Sequence, residues 1–348
     1  MVAEYFHKTQ LDIDFFEEHI RPRLPDTILD AHQHLTLKSF GRFIDTSKLA
    51  EDWARECYSE MSIEDMEYYA GVMFPGIKFS QNALTTVTKG ACFDEANDYL
   101  ANLLKTGRVP HAMMTLDPTF SNEKVERMLT EDGFTGIKPY PDLVTGQKAA
   151  ETSIFECLPH EKLEIVNRLK KGITLHIPRA GRLADPNNVR EIKEIHDKYP
   201  DAKLIIAHYG RSYSTGVFEE GARQLGDYMH ELTFDMAAVL NPAVLEMAFE
   251  VMDPKKIMWG TDLPVFLWHG RRHWTEYKYF NLAREDFKWN RHEESPEVEA
   301  TYTFFLYEQM KNILDVIDKI GGGKEMAEDI FHRNAERILG AAREGKAL

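Results

Sequence analysis

The chain has 348 residues, 43% hydrophobic and 28% charged, which is an ordinary globular composition with no apolar run long enough for a membrane span. Its formal net charge of −15 argues against a nucleic-acid or anionic-membrane surface, because either partner needs a positive face. Cys57, Cys92 and Cys157 form no CxxC pair, which disfavours disulfides and thiolate metal sites and favours a cytoplasmic location.

Predicted strands and helices alternate along the chain. A leading helix is expected around residues 11–19, before the first strand. The predicted strands cover residues 28–35, 69–75, 110–116, 136–140, 172–176, 202–208, 231–235 and 256–262. The predicted helices cover residues 46–57, 93–104, 123–129, 162–170, 186–199, 218–229, 242–252, 296–320 and 324–339.

This alternation predicts an α/β fold, specifically a (β/α)8 TIM barrel, with a doubly wound open sheet as the alternative. No repeat or linker marks a second domain, so residues 1–348 are expected to form one domain with a core at about 28–340. The N-terminal helix is an extension of this barrel. Residues 263–295 are an aromatic-rich insertion after strand eight, which either covers a ligand or packs on the helices that follow it.

Metal-capable side chains end four of the predicted strands. His32 and His34 are two residues apart on the first strand, so they project from the same face. His176, His208 and Asp262 end three later strands. A parallel barrel gathers the carboxyl ends of its strands at one mouth, so we expect these groups to meet there.

These motifs resemble the amidohydrolase superfamily, in particular its metal-dependent hydrolases of the TIM-barrel fold, the amidohydrolase 2 group. The matching segments are residues 30–34, 136–140, 174–176, 206–211, 259–264 and 330–340. The resemblance implies that His32, His34, His176 and Asp262 ligate one divalent metal ion. It also implies that His208 polarises the substrate carbonyl, although a ligand role for His208 stays open.

Three imidazoles and a carboxylate suit Zn²⁺, with Mn²⁺ as the alternative, and leave room for a water molecule whose pKa falls toward about 7. Asp262 would then take the proton from that water and pass it to the leaving group. Related enzymes with two metals bridge them through a carboxylated lysine, but the setting of Lys138 resembles the mononuclear group. Lys138 is therefore expected to place a positive charge in the pocket.

Substrate-binding side chains are predicted beside the ligands. Arg179, Arg182 and Arg211 follow His176 and His208, and arginine suits a two-pronged grip on a carboxylate. The alternative for each arginine is an ion pair that holds a loop. Further candidates are Tyr140, Tyr209 and Trp268. The expected partner is a small anionic or polyhydroxylated molecule, with homo-oligomer formation left open.

Two reactions fit this predicted site. Hydrolysis of a lactone, ester or amide is favoured, because His-Gln-His preceded by Asp30 resembles the sugar and dicarboxylate lactonases. The alternative is nonoxidative decarboxylation of an aromatic or unsaturated acid. A noncatalytic, metal-stabilised binding protein is the third hypothesis, disfavoured because structural zinc sites usually close with four protein ligands.

Overall fold

A computed structural model describes residues 6–44, 60–146 and 148–340, and its centre is a parallel eight-stranded sheet in sequential order, β1 to β8. The strands are β1 (Thr27–His34), β2 (Lys78–Leu84), β3 (His111–Leu116), β4 (Gly136–Pro139), β5 (Gly172–Leu175), β6 (Lys203–Ile206), β7 (Thr233–Asp235) and β8 (Ile257–Met258). The segment after β8 bonds back to β1, with Ala31 N to Trp259 O at 3.0 Å and Asp262 N to His32 O at 2.8 Å. The TIM-barrel prediction is confirmed.

Helices surround the barrel. The helices of six or more residues are Gln10–Phe15, Ile63–Met73, Phe93–Lys105, Asn122–Thr130, His160–Arg168, Pro186–Lys198, Thr215–Leu225, Pro242–Val251, Phe305–Lys319, Gly323–Glu328 and Asn334–Leu339. Short helices cover Ile154–Cys157, His208–Arg211, Tyr228–Glu231 and Pro296–Glu299. No helix in the described ranges is both long and apolar enough to cross a bilayer.

Helix Pro186–Lys198 illustrates how local sequence sets these elements. The Asp185 carboxylate caps it by accepting the backbone N–H of Asn187 at 2.9 Å, and proline occupies the first helical position. Val189, Ile192 and Ile195 recur at three-residue spacing and are buried against the barrel.

The predicted strand at residues 69–75 is wrong, because residues 69–73 lie in the helix Ile63–Met73, and Phe74 caps its end. Ser62 and Asp65 form a capping box at its start, and Met66, Tyr69 and Met73 form its buried face. The second strand is instead β2, whose polar residues interrupt the apolar pattern that predicts a buried strand. The predicted helix at 46–57 lies outside the described residues.

The N-terminal extension and the insertion after β8 are joined at one buried point. Asp12 of the first helix accepts hydrogen bonds from His269 Nε2 at 3.0 Å and Thr303 Oγ1 at 2.8 Å. The insertion contains an antiparallel ribbon, β9 (Gly270–Trp274) and β10 (Tyr279–Ala283). The predicted helix 296–320 divides into two, and Thr303 lies in the break between them.

Candidate metal centre

Strand β1 places His32 and His34 next to the Asp262 carboxylate, which belongs to the segment after β8 that closes the barrel against β1. Asp262 Oδ1 lies 3.6 Å from His32 Nε2 and 3.7 Å from His34 Nε2. Asp262 has a φ of 62°, a left-handed conformation that non-glycine residues adopt at some energetic cost. The side chains predicted at the ends of the first and the last strand of the sequence therefore meet at the barrel mouth.

Hydrogen bonds at Nδ1 orient three of the histidine rings. His32 Nδ1 donates to Asp235 Oδ2 at 2.9 Å, His34 Nδ1 to Thr85 O at 2.8 Å, and His208 Nδ1 to Ala237 O at 2.9 Å. The carbonyl and carboxylate acceptors assign the proton to Nδ1 in each ring. Each Nε2 consequently keeps a lone pair available to a metal ion, which is the usual arrangement at protein metal sites.

Asp235 is a site residue that the sequence interpretation missed. Its Oδ2 accepts the His32 ring, and its Oδ1 accepts the backbone N–H of His208 at 2.9 Å and of Ala237 at 3.1 Å. One buried carboxylate thus positions two neighbouring histidines. The signal available in the sequence was a carboxylate at the end of the seventh predicted strand.

The ligand atoms fit a divalent cation. One ligand atom from each of His32, His208 and Asp262 lies within 4.8 Å of the other two. His176 lies alongside, with its ring centroid 5.4 Å from that of His208, and its buried Nδ1 has no hydrogen-bond partner in the described structure. Imidazole nitrogens and a carboxylate oxygen suit zinc or manganese. The geometry groups His208 with two of the predicted ligands, His32 and Asp262, whereas the His34 and His176 rings lie beside this group.

Burial keeps these histidines neutral. It lowers the pKa of His34 to about 4, and it lowers the pKa values of His32, His176 and His208 well below 6.5. Neutral imidazole is the form that ligates metals. Burial also raises the pKa of Asp262 to about 8, an effect that the nearby Lys138 charge opposes. A bound cation would favour the ionised carboxylate.

Lys138 and Tyr140 lie beside two of the histidines. Lys138 is fully buried, and its Nζ lies 3.2 Å from His32 Nε2. Burial lowers the pKa of Lys138 to about 8, against the pull of the Asp235 and Asp262 carboxylates. The Tyr140 ring lies 4.6 Å from that of His176. Both side chains therefore border the metal centre.

The predicted arginines separate into two groups. Arg179 donates to both carboxylate oxygens of Glu191, at 2.9 and 2.7 Å, and to Asn188 Oδ1 at 2.7 Å. This is the loop-holding alternative, so Arg179 is not free to bind a substrate. Arg182 and Arg211 have no carboxylate within 4.0 Å in the described structure.

Tyr209 and Trp268 pack inside the protein. Tyr209 contacts Phe234 and Phe218, with ring centroids 6.1 and 6.2 Å away, between β7 and the surrounding helices. Trp268 has no exposed surface, and its ring lies 5.3 Å from Phe305. Both residues are therefore buried among aromatic side chains, and their contact with a substrate stays a prediction.

The chain matches a family model described as amidohydrolase over residues 29–341. Similar solved structures include 5-carboxyvanillate decarboxylase from Novosphingobium aromaticivorans, with bound manganese and 3-methoxy-4-hydroxy-5-nitrobenzoic acid. It is 13% identical, covers 90% of this chain and 97% of its own, and has a TM-score of 0.57. The search of curated proteins gave no match.

Two further structures have related activities. The dihydroxybenzoic acid decarboxylase from Polaromonas sp. JS666, with manganese and 2-nitroresorcinol, is 15% identical, with coverages of 90% and 96% and a TM-score of 0.56. The 2,6-dihydroxybenzoate decarboxylase from Rhizobium is 14% identical, with coverages of 90% and 98% and a TM-score of 0.55.

These comparisons contradict the predicted hydrolysis of a lactone, ester or amide. The enzymes of similar fold just described are decarboxylases, which favours the alternative reaction. They also give no preference for zinc, since two of them hold manganese.

Proposed function

This chain belongs to the amidohydrolase family, and on that premise we propose that it is a metal-dependent nonoxidative decarboxylase of an aromatic or unsaturated carboxylic acid. The observation that carries the proposal is the meeting of His32, His208 and Asp262 ligand atoms within 4.8 Å at the barrel mouth. The bound aromatic acid or phenol in the manganese-containing neighbours supports the same choice of substrate.

We assign one divalent ion, zinc or manganese, to this site. His32 and Asp262 would hold it, with His34 and His176 as the further predicted ligands and His208 within reach of the same ion. Asp235 and the Thr85 carbonyl hold two of these rings in the tautomer that leaves Nε2 free. When bound, the ion supplies a positive charge that fixes substrate oxygens and stabilises negative charge developing on the substrate.

Decarboxylation exchanges a carboxylate for a proton at one carbon. That carbon takes a proton, its bond to the carboxyl carbon breaks, and the electron pair of this bond stays with the substrate as CO2 leaves. Asp262 borders the cluster and is the proton donor in this proposal. Its carboxyl group enters the step protonated, gives its proton to that carbon, and is left as the carboxylate that a bound cation favours. His208 and Lys138 position the departing carboxylate, and burial of their surroundings excludes water.

The test is a panel of hydroxybenzoates, lactones and esters given to protein loaded with manganese or zinc. We expect CO2 release from an aromatic acid, and loss of that release after chelation and in Asp262→Asn. The control is Asp253→Asn, which changes a carboxylate that caps the turn before β8, at the opposite end of the strand. Metal-loaded, folded protein that releases no CO2 from any acid would overturn the proposal.

A further inference from the structure

The loop that follows β7 sets the orientation of His208, and a side chain of the inserted ribbon holds that loop. His208 Nδ1 donates to Ala237 O at 2.9 Å. The next carbonyl along the loop, Ala238 O, accepts from Arg272 Nη1 at 2.6 Å. These two carbonyls belong to consecutive planar peptide units, so a rotation that displaces one of them also turns the other. Arg272 therefore acts one peptide unit away from the acceptor of the His208 ring.

The backbone at Ala238 needs such a contact. Its φ is 60°, in the left-handed region, which a non-glycine residue adopts at some energetic cost. Relaxation of this angle would rotate the peptide unit that carries Ala237 O. On the other side of that carbonyl, Gln309 Nε2 donates to Met236 O at 2.8 Å. The loop is thus held from both sides, and the bond from Arg272 opposes the relaxation that would move the acceptor of His208.

Arg272 is itself fixed within the ribbon of β9 and β10. Its Nε donates to Asn281 Oδ1 at 2.9 Å, and Asn281 is its direct cross-strand partner. The side chain is buried, and aromatic rings surround its guanidinium. The ring centroids lie 5.2, 4.4, 5.6 and 5.1 Å away and belong to Tyr213, Tyr279, Phe266 and Phe305. Cation–π contacts of this kind favour one position of the planar group.

The charge of Arg272 is also coupled to the metal centre. Burial lowers the pKa of Arg272, and the Asp262 carboxylate is one of the groups that oppose this effect. The Tyr213 ring, which contacts the guanidinium, lies 6.2 Å from the His208 ring between centroids. The inserted ribbon therefore meets the metal centre at a carbonyl, a carboxylate and a ring.

We propose that Arg272 is a positioning residue, which sets the orientation of the His208 ring through Ala238 and Ala237. Its effect on turnover rests on the proposed function, in which His208 positions the departing carboxylate. In this role Arg272 does not touch the substrate. The insertion after β8 then acts on the reaction by holding the β7 loop in place.

Nitrogen–proton correlation NMR of the histidine side chains tests this in the full-length protein, with and without Zn²⁺. The His208 Nδ1–H, bonded to Ala237 O, should give a resonance protected from exchange, identified by its loss in His208→Gln. Arg272→Met keeps a long side chain but removes the donor to the loop, so it should shift, broaden or remove this resonance. The His34 Nδ1–H, which donates to Thr85 O after β2, should stay unchanged.

Two further variants control this experiment. Arg271→Met is the matched control, because adjacent strand residues face opposite sides and the Arg271 guanidinium lies 5.0 Å from the Tyr302 ring. It should leave the His208 resonance in place. Asn281→Ala removes only the cross-strand acceptor of Arg272, so it should shift the same resonance by a smaller amount. Asn281→Ala also keeps the test available if Arg272→Met does not fold.

Turnover provides the second measurement. Arg272→Met should lower kcat roughly 10- to 100-fold, the range for loss of a contact that orients a metal-site histidine, and change KM less. A lower Tm with an unchanged His208 resonance would show a purely structural role and overturn the proposal. A higher KM with an unchanged resonance would show direct substrate contact and overturn it as well. Failure of the proposed function gives a different result, in which Arg272→Met perturbs His208 but the wild type releases no CO2.

Discussion

Replacing Asp235 with asparagine should weaken metal binding without unfolding the barrel. The asparagine Oδ1 can still accept the backbone N–H groups of His208 and Ala237, which now lie 2.9 and 3.1 Å from Asp235 Oδ1. The amide Nδ2, however, replaces the oxygen that accepts from His32 Nδ1 at 2.9 Å. Because Nδ2 is a donor, it forces His32 to accept at Nδ1 and to carry its proton on Nε2.

A proton on Nε2 blocks the nitrogen that faces Asp262, 3.6 Å away. Loss of such an orienting partner typically costs roughly 10- to 100-fold in metal affinity. We therefore expect Asp235→Asn to raise the Kd for Zn²⁺ or Mn²⁺ by that factor. A competitive titration against a fluorescent chelator measures the change, and thermal melting of the metal-free protein checks the fold.

Asp30→Asn is the matched control. Asp30 is also fully buried, but its Oδ1 accepts the backbone N–H groups of His32 and Thr261, at 2.9 and 3.0 Å. Its other oxygen accepts the Thr261 hydroxyl, which can instead accept from an amide. Asp30→Asn should hold metal nearly as tightly as the wild type. Equal affinity of Asp235→Asn and wild type, or equal losses in both variants, would refute the tautomer argument.

Three further predictions concern stability and packing. Burial would raise the pKa of Asp12, but hydrogen bonds from His269 and Thr9 lower it from 3.8 to about 2. Burial would lower the pKa of His269, but hydrogen bonds to Asp12 and Glu285 raise it above 6.5. The depressed group stabilises the fold above about pH 4 and loses that effect as pH falls toward 2. The raised group stabilises it below pH 6.5 and loses that effect as pH rises through its new pKa. Asp12→Asn should thus lower the free energy of unfolding most between pH 4 and 6.5, by about 3 kcal/mol. An equal difference in Tm between the wild type and Asp12→Asn at pH 5 and at pH 9 would contradict this. Gly260→Ala would place a Cβ 2.9 Å from His32 Cβ, so it should lower the free energy of unfolding by about 1–3 kcal/mol and weaken metal binding in the chelator assay. An unchanged metal affinity of Gly260→Ala would count against this prediction. Gly71→Ala, in helix Ile63–Met73 with nothing within 4 Å of the new Cβ, should raise stability by roughly 0.5–1 kcal/mol in denaturant unfolding, and a lower midpoint would refute this.

The barrel and its metal-capable strand ends could be predicted because their signals are local. Short apolar runs ending in His32, His176 or Asp262 indicate buried parallel strands, whatever the rest of the chain does. Strand β2 was missed since Lys78, Ser80 and other polar residues interrupt its apolar pattern. The aromatic residues of the neighbouring helix imitated a strand instead.

The roles of individual polar residues could not be predicted in the same way. Asp235 acts on His32 across 203 positions of sequence, so its partner becomes visible only when the barrel closes. Arg179 and Arg182 are the same residue type in one loop, yet only Arg179 meets Glu191. The ribbon of β9 and β10 in the insertion after β8 was not indicated by any periodicity.

The central claim is that scattered strand ends hold one divalent ion at the barrel mouth. Crystals grown with Mn²⁺ and measured at the manganese absorption edge test this claim directly. We expect one anomalous peak at coordination distance from His32 Nε2 and an Asp262 oxygen, with Lys138 unmodified beside it. A peak elsewhere in the barrel, or two ions bridged through Lys138, would contradict it.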